Sequence, residues 1–178
     1  MDIQQAAAFY RLNQLTSKDL SELACSYIQA GIESESLVLL AGTINPIMSE
    51  VGNLFEKSLS ELGYKLPPTN EALFSVAKYY AKQIIDEEVT PYQGAKNIWW
   101  HVTNLLENPS KLLLYFVGAA SEIEDLPYRY TSSGYDPDAQ IKEYENGIIE
   151  SAREILSMNN VEQFTGERRS YRDSYPPS

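Results

Sequence analysis

The chain repeats one local pattern along most of its length: a helix-start signal, an apolar stripe at helical spacing, then a stop. Thr16-Ser17-Lys18-Asp19 has the form of a capping box. Leu20, Leu23, Ala24, Tyr27 and Ile28 follow on one face, and Gly31 can end the segment. Asn45-Pro46 reads as a cap followed by a first-turn proline. The stripe Val51, Leu54, Phe55, Ser58 and Leu62 comes next, and Gly63 stops it. A third start falls at Thr69, with Leu73, Val76, Ala77, Tyr80, Ala81 and Ile84 on one face. Thr90-Pro91-Tyr92-Gln93 is the strongest start of all. Thr90 caps, Pro91 presets the first turn, and Gln93 is placed to reach back to the cap amide. Asn108-Pro109 predicts a helix through the apolar run Leu112–Ala120. Asp136-Pro137 predicts one with Ile141, Tyr144, Ile148, Ala152 and Ile155 inward.

No stretch alternates apolar and polar residues with the β-branched content of a strand, and no Asn-Gly turn joins two such runs. The expected fold is therefore all-α, a single compact bundle of about seven or eight helices. The helical domain is expected to span 1–163. Residues 164–178, FTGERRSYRDSYPPS, have few aliphatic side chains and read as a mobile tail. Pro127 to Tyr135, PYRYTSSGY, reads as a connecting loop.

Lys plus Arg number 14 and Asp plus Glu 25, so the net charge is −11. Such a surface repels nucleic acid and anionic lipid, which excludes both as partners. Basic residues are scattered, apart from Arg168, Arg169 and Arg172 in the tail. The single cysteine, Cys25, rules out an internal disulfide. It sits beside Ala24 on an apolar helical face and is expected to be a core thiol. The longest apolar run, Leu112–Ala120, falls short of the roughly 20 residues that a membrane span needs. The N-terminus lacks the features of a signal peptide. Together these predict a soluble, cytoplasmic protein.

Much chemistry is missing. One histidine, His101, and one cysteine give no basis for a zinc site, and neither HExxH nor ExxH occurs. There is no GxxxxGK[ST] loop and no GxGxxG turn to cradle phosphate. Gly42, Gly52 and Gly94 are better read as places of close helix packing. No catalytic residue, metal or cofactor is predicted, although abundant carboxylates leave a metal-assisted hydrolase open as an alternative.

Some features run against local folding rules. Helix C-termini favour cations. Yet the helix from Thr69 ends in Asp86, Glu87 and Glu88, and the helix through Leu112 ends in Glu122, Glu124 and Asp125. No lysine or arginine is read beside either cluster. One reading is plain solubility; the other is that both clusters face a cationic partner and speed its encounter. Trp99 shares a face with Ala95 and Val102 and is expected in the core. Trp100 then leans to the boundary, where it caps the core edge or anchors an interface. Tyr128, Tyr130 and Tyr135 lie among Arg129, Ser132, Ser133 and Gly134, a composition suited to protein recognition or to closing the core.

The elements Glu61-Leu62-Gly63, Pro67-Pro68, Ala81, Ile84-Ile85, Pro91-Tyr92-Gln93-Gly94-Ala95 and Ile98-Trp99 resemble a group of small bacterial all-helical proteins with an ELG…P…PYxGAxxIW pattern. Some of these are immunity-like proteins that accompany polymorphic toxins. The likeness spans roughly residues 35–125, and Glu88 departs from it where a turn glycine is expected. It supplies folding signals and no catalytic residues. With the acidic charge it implies a non-enzymatic protein-binding module, an immunity- or antitoxin-like inhibitor that occludes a basic effector. A plain scaffold or oligomerisation module is the remaining alternative.

Overall fold

The structure is a computed structural model that describes residues 1–129 and 136–165, the side chains of 127–129 excepted. Among the described residues the protein is all-α, as its periodicity predicts. The helices are α1 (Ile3–Arg11), α2 (Ser17–Gln29), α3 (Glu35–Ala41), α4 (Met48–Glu61), α5 (Thr69–Ile85), α6 (Pro91–His101), α7 (Lys111–Arg129) and α8 (Pro137–Ser157). Short 3₁₀ turns cover Thr103–Leu105 and Val161–Gln163. Extended pairing among these residues is limited to an isolated bridge between Pro109 and Thr165. The contacts divide the chain into two compact units, Met1–Val76 and Ala77–Ser178, and α5 runs through the division.

In the first unit, local caps set the helices and a shared apolar core closes them. Asp2 and Gln5 form a reciprocal capping box on α1, and Thr16 and Asp19 form one on α2. The Tyr27 hydroxyl donates to the Asp2 carbonyl at 3.1 Å and ties α2 to the start of α1. Ser34 caps α3. Glu61, the last residue of α4, accepts the Ser36 amide at 3.0 Å and the Ser36 hydroxyl at 2.7 Å. That latch satisfies a buried serine and fixes α3 on α4. Ile3, Ala6, Leu20, Ala24, Leu37, Leu40, Val51, Phe55 and Leu59 fill the core between the four helices. Truncating a buried aromatic such as Phe55 typically costs about 3–5 kcal/mol.

Four helices end in one backbone motif, a left-handed residue followed by paired 5→2 and 6→1 bonds. Gly31 and Gly63 take the left-handed position after α2 and α4, as their sequence predicts. Asn13 takes it after α1 and Glu87 after α5.

The second unit packs α6, α7 and α8 on one another. Its buried residues include Ala81, Ile84, Ala95, Ile98, Leu113, Phe116, Ala120, Ile148, Ala152 and Ile155. Lys78 donates to the Met158 carbonyl at 2.6 Å and joins α5 to the end of α8.

Several expectations are corrected. Asn45-Pro46 does not open α4. Asn45 is left-handed, Ile47 is extended, and the helix starts at Met48 without a side-chain cap. Asn108-Pro109 likewise precedes the start of α7 by two positions. Pro109 is held in the bridge to Thr165, and the Ser110 hydroxyl faces the Leu113 amide at 3.4 Å. Residues 127–129 are helical and belong to α7, so the 127–135 loop is shorter than expected. Phe164 is fully buried and Thr165 is bridged, so neither belongs to a tail. Residues 166–178 lie outside the described residues. Cys25 is exposed, its sulfur 3.7 Å from the Ala41 carbonyl. Position 25 lies about 100° round the helix from Ala24, far enough to leave the buried stripe.

Candidate functional site

The sequence-predicted site residues that the structure describes all lie in the second unit, around α5, α6 and α7. The turn from α5 to α6 is set by Glu87 and Gly94. Glu87 adopts a φ of 59°, and its amide donates to the Ile84 carbonyl while the Glu88 amide donates to the Gln83 carbonyl. A left-handed residue with a side chain costs roughly 1–2 kcal/mol, which glycine avoids. The turn then leads directly into α6, whose start is fixed by Thr90 accepting the Gln93 amide at 3.2 Å. Gln93 does not complete a capping box; its side-chain amide donates to Asn97 at 3.2 Å instead.

The acids are not equivalent. Asp86 is paired with Lys82 at 2.6 Å. Their hydrogen bond raises the Lys82 pKa above its ordinary value. Glu88 accepts from the Gln83 side chain at 3.4 Å. Glu87 is exposed, and among the described residues no cation pairs with it.

Glu124 is committed as well. Lys96 donates to it at 2.7 Å, and the Tyr92 hydroxyl donates to the same oxygen. The Lys96 bond, then that of Tyr92, lowers the Glu124 carboxyl pKa. Burial, then the bond to Glu124, raises that of Tyr92. Glu122 is half-buried and Asp125 exposed, both on α7.

Two expectations about these clusters are therefore overturned. Lysines do compensate them, through Lys82 and Lys96. In addition, α7 runs past Asp125 to Arg129, so Glu122, Glu124 and Asp125 precede its C-terminus by about one to two turns. Because Tyr92 stands in the first turn of α6, Glu124 is held at the end of α6 that the 86–89 turn enters. The two acidic clusters thus flank the same end of that helix.

Trp100 stands eight residues beyond Tyr92, about 12 Å along the helix. It is 58% exposed, and its ring stacks on Trp99 with centroids 5.4 Å apart. Trp99 is half-buried rather than core, and its indole N–H donates to Asn104 at 3.1 Å. His101 stacks on Tyr80, and burial lowers its pKa. Tyr128 lies on α7 without a described side chain; Tyr130 and Tyr135 lie outside the described residues.

Sequence reasoning missed Tyr92 and Lys96 as the partners of Glu124, because that contact depends on how α6 packs on α7. It also missed the Lys82–Asp86 pair, which the i,i+4 spacing does encode. Among the described residues, no three His, Cys, Asp or Glu side chains converge to hold a metal ion. A concavity of about 550 Å³ in the first unit is walled by Tyr64, Leu66, Pro67 and Pro68, with Lys65 and Glu71 as its charged groups. No helix among the described residues is long and apolar enough to cross a membrane. Comparison with known protein families, curated proteins and solved structures returned no match.

Proposed function

We propose that the protein is a binding module for a basic protein partner, which it meets with the acidic α5–α6 turn. The observation that carries this reading is Glu87: a charged, exposed side chain held in a backbone conformation that glycine would adopt at less cost. Glu88 stands beside it, and the chain's net charge of −11 reinforces its field. Charge of this kind raises association rates and disfavours acidic competitors, while an aromatic such as Trp100 slows release. Lys82 is spent on Asp86 and Lys96 on Glu124, so Glu87 and Glu88 are the acids of the turn that no cation among the described residues pairs with; the turn is the focus and Glu122, Glu124 and Asp125 are its margin.

The specific form we favour is an immunity- or antitoxin-like inhibitor in a reducing cytoplasm that works by occlusion. The ELG…PYxGAxxIW resemblance supports this. The test is recovery of the partner from the native host, followed by titration of the purified complex with salt. A basic partner and salt-sensitive binding support the reading; a neutral partner with salt-insensitive binding contradicts it.

A further inference from the structure

We draw no further inference here: the strongest candidate, the patch of exposed apolar side chains that runs from α3 into the start of α4 in the first unit (Val38, Leu39, Ile44, Ile47 and Met48), carries nothing because nothing in the structure shows what covers it.

Discussion

Gly94 lies directly under Ile84: a Cβ placed on Gly94 would stand 2.6 Å from the Ile84 Cδ1 and closer still to Cγ1. Both residues are buried, and Ile84 is β-branched, so its first carbons have little room to rotate away. Their contact sets how near α6 comes to the end of α5, and so how tightly the acidic turn closes. Gly94→Ala is expected to cost about 1–3 kcal/mol by overpacking. Ile84→Ala alone is expected to cost about 2–5 kcal/mol. The double variant is expected to be more stable than the sum of the two predicts, a coupling that urea unfolding of all four proteins measures. Additive losses contradict the packing account.

Glu87→Gly is expected to stabilise the protein by about 1 kcal/mol, because it relieves the left-handed strain. Glu87→Gln keeps the strain and removes the charge, so its stability is expected to stay within about 0.5 kcal/mol of the parent. Chemical denaturation separates the two. A Glu87→Gly variant no more stable than the parent contradicts the strained turn.

Glu61 gives a pH dependence with a definite sign. The Ser36 amide, then the Ser36 hydroxyl, hold its carboxyl below the ordinary value of 4.5. A carboxyl whose folded pKa is depressed contributes stability that is present above its unfolded pKa and lost as pH falls through the folded one. Glu61→Gln is therefore expected to melt below the parent near neutral pH, and the gap is expected to narrow at a pH below the ordinary carboxyl value of 4.5. Thermal melts at the two pH values check this. A gap that persists in acid means that Glu61 acts through its shape rather than its charge.

Trp100 is expected to matter little to the fold. At 58% exposure its principal contact is the Trp99 ring, so Trp100→Ala is expected to cost no more than about 1 kcal/mol in denaturation. A larger loss makes Trp100 a structural residue and removes it from the proposed interface.

Helix starts were legible where the cap and its target lie within one turn, as at Thr16 with Asp19, Thr90 with Gln93, and Asp136 with Ala139. They were misread at Asn45-Pro46 and Asn108-Pro109. The same dipeptide serves a turn as well as a helix, and the bridge that holds Pro109 comes from Thr165, 56 residues away. The short helices α1 and α3 escaped notice because few turns give few repeats of the apolar stripe. Of the candidate site, the exposure of Trp100 could be read locally, whereas the left-handed residue of the turn is Glu87, one position before the Glu88 where the resemblance expects a turn glycine. The commitment of Glu124 to Lys96 and Tyr92 could not, since packing alone brings α7 to α6.

The most direct measurement is the dissociation constant of the purified complex with the native partner at rising salt, for the parent chain and for the Glu87→Gln/Glu88→Gln variant. The parent is expected to weaken steadily as salt increases, and the variant to bind at least about tenfold less tightly with a shallower salt slope. Equal affinity and an unchanged slope for the two proteins would contradict the assignment of the α5–α6 turn as the partner-binding element.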